Sequence, residues 1–352
     1  MSRMRRPTMT DVAREVGVTA KTVSRVLNDE GPVAVETRER VLAAVMRLGY
    51  QPNLMARNTR VGARDAAIGL VIPEMGNPFF GTVAGGVESA VRARGLTLIV
   101  GSSDETAGLE QSLIATFLAR RVSALMVVPA AGGDHRHLRS ERVAGLPIVF
   151  LDRPAAGLTA DCVVSANREG SRAGVAHLIG YGHRRIGFVG DVPATLYTRR
   201  ERLQGYRDAL EAAGLPFDRS LVDTGHDMEA AARATLRLLA LADPPTALFA
   251  GNNFASMGAV LALARAGRKD VALVGFDDLP LAEVLDPPLT VVAQDPAAVG
   301  AAAADLVLSR LDGDRSRARR VVVPTRLLTR GSGELPPPGA APPAVGVSAG
   351  PG

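Results

Sequence analysis

Tryptophan is absent from the 352 residues, cysteine occurs once, and aromatic residues make up only 4% of the chain. A single cysteine, Cys162, excludes an internal disulfide and a cysteine-built zinc site, and it fits a reducing compartment. No apolar run comes near the roughly 20 residues of a bilayer-spanning helix; AAIGLVI, from Ala66 to Ile72, is only strand-sized. The first residues, MSRMRRPTMT, are basic but lead into no apolar stretch, so no secretory signal and a cytoplasmic location are expected. Also lacking are a GxGxxG between strand and helix, a P-loop, HExxH and GxSxG, so neither a cofactor nor catalysis is expected. His135 and His137, in DHRH, have no nearby cysteine or spaced carboxylates, and they read as a solvated loop with no metal. What is present, 47% hydrophobic and 22% charged residues, suffices for ordinary globular cores, and the length implies two or three domains.

Charge is unevenly distributed. Through Arg60 there are 11 basic against 6 acidic residues, whereas the remainder carries 30 of each, so the whole net charge of +5 sits at the start. A positive small segment ahead of a neutral large one suits a nucleic-acid-binding head on a separate body; a basic solvated tail would carry the same charge.

Periodicity separates the two readings. Thr10 is placed to cap a helix over DVAREV, with Val12, Ala13 and Val16 on one face and Gly17 as a left-handed stop. After the turn GVT, a second helix over AKTVSRVLN buries Val23, Val26 and Leu27 and exposes Lys21, Thr22, Ser24, Arg25 and Asn28. A third helix near VETRERVLAAVMRLG turns Val35, Val41, Leu42, Val45 and Leu48 inward and stops at Gly49. The small, turning and β-branched residues Ala13, Gly17 and Val23 let the first two helices cross closely, which is a helix-turn-helix signature. A plain three-helix bundle would not need donors for phosphates and base edges along its exposed second helix.

The runs TMTDVAREVGVTAKTVSRVLN and TRERVLAAVMRLGYQPNLMAR resemble the lactose-repressor and galactose-repressor family of bacterial transcription regulators. The resemblance implies a recognition helix near Ala20 to Leu27 in the major groove, with Thr19, Ala20, Lys21, Ser24, Arg25 and Asn28 at DNA and Ala20 and Lys21 as base readers. Thr10 and Thr22 complete that face. Ala20 offers only a methyl contact, whereas Lys21 reaches guanine acceptors, so a G is expected in the half-site. Residues 51–65 resemble the family's hinge, implying minor-groove contacts from Asn53, Leu54, Ala56 and Arg57. Two departures stand out: Thr59 occupies the place of a wedge leucine, and Ala34 that of a capping serine.

From Ala66 the chain alternates apolar runs with amphipathic stretches, AIGLVIP to LPIVFLD and then CVVSAN to VGFDD, as two sets of βα units. The expected fold is an N-terminal all-α helix-turn-helix domain (8–50), then an α/β body (66–330) of two parallel-sheet subdomains. The resemblance extends over about 8–330 through NPFF, LDR, GHRRIGFVG, RLQGYRDAL, GN, VGFDD and QD. It implies a periplasmic-binding-protein-like body of type I, with subdomains at 66–164 plus 293–321 and at 165–292 plus 322–330. It also implies an effector cleft lined by Phe80, Asp152, Arg202, Asn252, Asp277 and Gln294.

Chemistry supports that set. Asp152, Asn252 and Asp277 each follow an apolar strand, and carboxylates, a guanidinium and an aromatic ring suit a sugar. As a single residue, Asp277 could equally be a cap or an ion-pair partner, and Arg153, Arg199 and Arg200 leave an acidic ligand open. Residues 331–352, rich in Pro, Gly and Ala, read as a disordered tail. The expected protein is a homodimeric repressor on a near-palindromic DNA operator, tuned by a small sugar; an enzyme of the same fold with a DNA-binding head is the alternative.

The hinge departure yields a test. A threonine offers one methyl where a wedge buries a whole apolar side chain, so less of the cost of unstacking, a few kcal/mol, is recovered. Thr59→Leu is expected to raise DNA affinity and the bend measured by circular-permutation gel shift. A strong wild-type kink that survives Leu54→Ala and Met55→Ala contradicts this.

Overall fold

The computed structural model describes residues 7–28, 30–50 and 65–339, which fall into two units parted at Asp65. In the first unit, helix α1 (Met9–Val16) begins at Thr8 rather than at Thr10. Thr8 Oγ1 accepts the Asp11 N–H at 3.3 Å while the Asp11 carboxylate accepts the Thr8 N–H at 2.8 Å, a reciprocal box that Thr10 cannot make. Thr10 is therefore an exposed residue of the first turn. Gly17 ends α1 at φ 75°, where its lack of Cβ removes the left-handed penalty. Helix α2 (Ala20–Asn28) follows, with the Thr19 hydroxyl accepting the Thr22 N–H at 3.2 Å. Helix α3 (Val35–Leu48) starts at Ala34 without a side-chain cap and stops at Gly49.

Val12, Val16, Val23, Val26, Val41 and Ala44 close the small core. Val35 and Leu42, expected inside, are 72% and 44% exposed. The inward stripe of α3 runs through Val41, Ala44, Val45 and Leu48; at about 100° per residue, positions 35 and 42 fall together on one flank of it, beyond Val45. The hinge residues Asn53, Leu54, Ala56, Arg57 and Thr59 lie outside the described residues.

In the second unit, apolar runs become strands, the central ones buried on both faces, as parallel sheets covered by helices require. The first subdomain contains β1 (Asp65–Ile72), α4 (Pro78–Arg92), β2 (Thr97–Ser102), α5 (Ala107–Ala119) and β3 (Val122–Val127). It continues through α6 (Arg139–Val143), β4 (Ile148–Leu151) and β5 (Asp161–Ser165). The chain then crosses into α7 (Asn167–Gly180), β6 (Ile186–Gly190), α8 (Tyr197–Ala212), β7 (Val222–Thr224) and α9 (Met228–Leu239). β8 (Ala247–Ala250), α10 (Asn253–Arg265), β9 (Ala272–Phe276) and β10 (Thr290–Ala293) complete that set. α11 (Pro296–Leu311) and β11 (Arg320–Val323) return to the first subdomain, and β12 (Arg326–Leu328) crosses back.

The sheet orders, β11-β5-β4-β3-β1-β2 and β12-β10-β9-β8-β6-β7, match position by position. The outermost pairs differ, because β11 runs parallel to β5 and β12 antiparallel to β10. The third crossover comes after Val323, two residues beyond the sequence expectation, since Val322 and Val323 still pair with Val164 and Ser165.

Two expectations fail on burial. The disordered tail does not begin at 331: Ser332 Oγ donates to the Leu273 carbonyl at 2.6 Å, and Glu334 accepts from Thr290 Oγ1 at 2.8 Å. His183 meets the Leu335 carbonyl at 2.8 Å, so a Pro- and Gly-rich stretch is docked as far as Leu335 by polar anchors that composition does not reveal. His135 is not on a solvated loop; it is fully buried, with Nε2 3.0 Å from Glu110 Oε1, while His137 is exposed. Glu110 also accepts the Ala130 N–H, so the pair holds the loop after β3.

Helix packing in the body depends on missing side chains. A Cβ on Gly300 of α11 would lie 2.2 Å from the Val83 carbonyl oxygen of α4, and one on Gly205 of α8 would lie 2.1 Å from the Arg168 carbonyl oxygen of α7. Backbone cannot yield as a flexible side chain does, so overpacking by one methyl typically costs about 1–3 kcal/mol. Gly300→Ala is expected to lower the unfolding free energy of the body by that amount, read as a lower urea midpoint with little change in slope; an unchanged midpoint refutes the close packing.

Candidate functional site

The C-terminal ends of both sheets meet across a narrow cleft with only about 40 Å³ of free space, so its two walls lie close together. Phe80, Asp152, Arg202, Asn252, Asp277 and Gln294 all line it. So do Glu74, Asn77, Glu105, Arg153, Asp191 and Asn253, none of which had been assigned to the pocket.

Asp152 and Asp277 occupy equivalent places, one residue past β4 and β9, and both take left-handed backbone, with φ 62° and 73°. Such strain costs about 1–3 kcal/mol in a residue with a Cβ. It is held by matching hydrogen bonds, from the Asp152 N–H to the Val163 carbonyl at 2.8 Å and from the Asp277 N–H to the Val292 carbonyl at 2.9 Å. Burial pushes the Asp152 carboxyl up, against the pull of Arg153 and Arg202. Asp277 accepts the Asn253 N–H at 3.1 Å and the Gln294 Nε2 donor, while the buried Gln294 Oε1 has no hydrogen-bond partner.

Arg202 is buried beneath these carboxylates. Its Nε donates to Asn167 Oδ1 at 2.7 Å, its Nη1 to the Gly251 carbonyl at 2.8 Å, and its guanidinium carbon lies 3.9 Å from the Phe276 ring centre. Burial lowers its pKa, opposed by the nearby Asp277 and Asp152. Arg153 is differently committed: it pairs with Glu105 and donates to the Pro129 carbonyl at 2.9 Å. Asn252 has a double role, since its Oδ1 caps α10 through the Ala255 N–H at 2.7 Å while its Nδ2 donates to Asp191 Oδ2 at 3.1 Å. Phe80 belongs partly to the core, packed edge-on to Phe79.

Two bridges join the cleft walls. Asn253 Nδ2 donates to Asn77 Oδ1 at 2.7 Å, the oxygen that also caps α4 through the Phe79 N–H. His226 sits between Glu74, at 2.9 Å from Nε2, and Asp191, at 3.1 Å from Nδ1. An asparagine at 253 thus reaches across the cleft rather than into the ligand space alone. The sequence signal for Glu74, Asn77 and Glu105 was their place just past β1 and β2; His226 carried none.

Cys162 is buried, and burial pushes its thiol up to about 12. Among the described residues no group of three or more His, Cys, Asp or Glu is arranged to hold a metal ion, and no helix is long and apolar enough to cross a membrane.

On the three-helix unit, Thr19, Ala20, Lys21 and Arg25 are exposed, whereas Thr22 and Ser24 are half-buried. Helix α2 thus presents one ammonium and one guanidinium beside small side chains, a surface able to approach bases closely and contact phosphates.

Residues 8–53 match the family described as bacterial regulatory proteins, lacI family, and residues 175–333 match a periplasmic binding protein-like domain. The HTH-type transcriptional regulator CelR of Thermobifida fusca is 35% identical over 95% of this chain and 100% of its own length. The ribose operon repressor of Haemophilus influenzae is 31% identical, covering 91% and 97%. Among solved structures, the lac repressor dimer bound to operator and the anti-inducer ONPF superposes with a TM-score of 0.81 at 25% identity, covering 94% of this chain and 99% of that one. The transcriptional regulator CelR–cellobiose complex gives 0.68 at 31% identity, covering 93% and 100%.

The His226 bridge makes the cleft sensitive to alkali. Hydrogen bonds to Asp191 and then Glu74 raise the imidazole pKa to about 10, so the cationic bridge is intact below that pH and is lost as pH rises through it. An NMR titration of the imidazole protons should find one histidine still charged at pH 8. Glu74→Gln with Asp191→Asn should return it toward an ordinary value near 6.5. Titration of all histidines below pH 7.5 in the wild type removes the bridge.

Proposed function

Since the chain belongs to the lacI family of bacterial regulatory proteins and is a DNA-binding transcription regulator, we propose that a neutral sugar held in the cleft sets its affinity for DNA. The observation that carries the ligand class is the charge of the cleft: five carboxylates, Glu74, Glu105, Asp152, Asp191 and Asp277, face the guanidiniums of Arg153 and Arg202 and the His226 imidazolium, which Glu74 and Asp191 already share. Arg153 is already occupied by Glu105, so no guanidinium is left over for a phosphate or carboxylate group. Arg199 does not line the pocket, and Arg200 is exposed. Carboxylates accept from vicinal hydroxyls, Arg202 donates, and Phe80 can cover an apolar sugar face.

DNA is read by α2, with Lys21 as the base-reading side chain and Arg25 on phosphate. The protein works in the cytoplasm, where its DNA is, as a repressor of carbohydrate-use genes. It acts as a homodimer, and the face supporting this is apolar: Leu281 and Val284 are exposed beside a recess lined by Met257, Val260 and Leu261. Ligand and operator influence each other by the same factor, whichever binds first.

Separate variants test the two ends. Lys21→Ala should weaken binding to a duplex selected from a random pool and relax preference at one base position by about 1–3 kcal/mol, leaving sugar binding intact. Arg202→Ala, and the gentler Asp277→Asn, should keep DNA binding but lose the thermal shift given by a panel of ribose, glucose, galactose and cellobiose. Glucose 6-phosphate should give none. An unchanged dissociation constant in both cleft variants, measured by calorimetry, would mean that these side chains are structural ion pairs.

A further inference from the structure

The body is neutral in total, yet its charges are sorted. Carboxylates gather at the C-terminal strand ends, and arginines gather at the opposite, N-terminal edge of the first subdomain. Arg120 and Arg121 precede β3, Arg142 ends α6 just before β4, and Arg315 and Arg317 stand in the loop before β11. All five are exposed, and none is ion-paired. Arg142 and Arg315 converge on one recess with Ser316, whose other guanidinium, Arg310, is taken by Asp161.

Basic residues at helix C-termini are ordinary complements of the helix dipole, and this accounts for Arg120 and Arg142. It does not account for the loop arginines, nor for the contrast with the second subdomain. There the matching edge is mostly neutralised: Arg185 pairs with Asp218 and Asp243, Arg268 with Asp270, and Lys269 with Asp286, which leaves Arg184, and Arg219 with only the Val222 carbonyl as partner. The two subdomains share one plan, so the unpaired arginines are a property of one edge and not of the fold.

We infer that this edge, centred on Arg142, Arg315 and Arg317, binds the phosphodiester backbone of DNA flanking the sequence read by α2. Charge complementarity is the first argument, since unpaired, solvated guanidiniums gain more from phosphate than ion-paired ones. Tethering is the second. β1 begins at this same edge, only 15 residues after Tyr50, where the described helical unit ends, a span of at most about 54 Å. DNA held by the helices is thereby kept at high local concentration near the edge. The inference rests on the DNA-binding reading above but assigns a second surface to it.

The test uses the full chain and a duplex selected from a random pool, in two lengths: trimmed to the selected site, and extended by ten base pairs on each side. Wild-type protein is expected to bind the extended duplex at least five-fold tighter, with a steeper fall of log affinity against log salt, by about 0.9 per phosphate contacted. The triple variant Arg142→Ser, Arg315→Ser, Arg317→Ser should lose that difference while binding the trimmed duplex as the wild type does. A control triple in the second subdomain, Arg172→Ser, Arg184→Ser, Arg233→Ser, should keep it. Equal wild-type affinity and slope for both duplexes overturns the proposal, as does an equal loss in the control or a loss on the trimmed duplex. A thermal shift by inorganic phosphate that needs these arginines, with DNA binding unaffected, identifies a free-anion site and also overturns it. Recovery of no duplex at all strikes the DNA-binding reading itself.

Discussion

A guanidinium buried beneath the cleft constrains most of what surrounds it. Removing a cation from water costs several kcal/mol even after relaxation, and Arg202 makes its direct hydrogen bonds to a side-chain amide oxygen and a backbone carbonyl, neither of them charged. Compensation must come from Asp277 and Asp152, whose fields oppose the effect of burial. Those two residues belong to different subdomains, Asp277 to the one that carries Arg202 and Asp152 to the other. Asp191, in the same subdomain as Arg202, adds to the compensation, and the part that comes from Asp152 exists only while the walls are close. The strained backbone at both aspartates follows, because a left-handed residue at each strand tip is what the two matching hydrogen bonds hold in place.

The cross-cleft bridges extend the same logic to the rim. Asn77 Oδ1 accepts a cap bond within its own subdomain and a second bond from Asn253 across the cleft, so closure adds a donor to an oxygen that is already fixed. His226 joins two carboxylates that would otherwise repel each other across the gap. A ligand whose hydroxyls reach both walls strengthens an arrangement that these contacts already favour. Its leverage on DNA affinity is limited to the difference in its binding to closed and open forms.

What the sequence made legible depended on locality. Strand tips were readable because a polar residue ending a buried apolar run has to face something, and Asp152, Asn252 and Asp277 line one cleft. The helix-turn-helix was readable because its spacing of small, turning and branched residues lies within one short segment. Glu74 with His226 and Asn77 with Asn253 were not readable, since each pair joins positions more than 150 residues apart. Thr10 directly precedes the apolar-periodic run DVAREV, but the reciprocal box that Asp11 completes is with Thr8, so the cap lies two residues earlier. Composition misjudged the stretch after Arg330 for a related reason: Ser332 and Glu334 find partners on strands and helices that no local pattern announces.

The sorting of charge along the body has a consequence for two ligands of opposite character. β1 has eight residues, which at about 3.3 Å each separate the acidic cleft from the arginine edge by roughly 26 Å. The Debye length at physiological salt is only about 8 Å, so exposed charges at one end are largely screened from those at the other. The carboxylates can therefore repel anionic ligands from the cleft without weakening attraction between the arginine edge and a polyanion. Had the same residues been mixed over the surface, each end would have been near neutral, and neither discrimination would survive. Neutrality in total thus conceals two separate surfaces, one suited to hydroxyls and the other to phosphates.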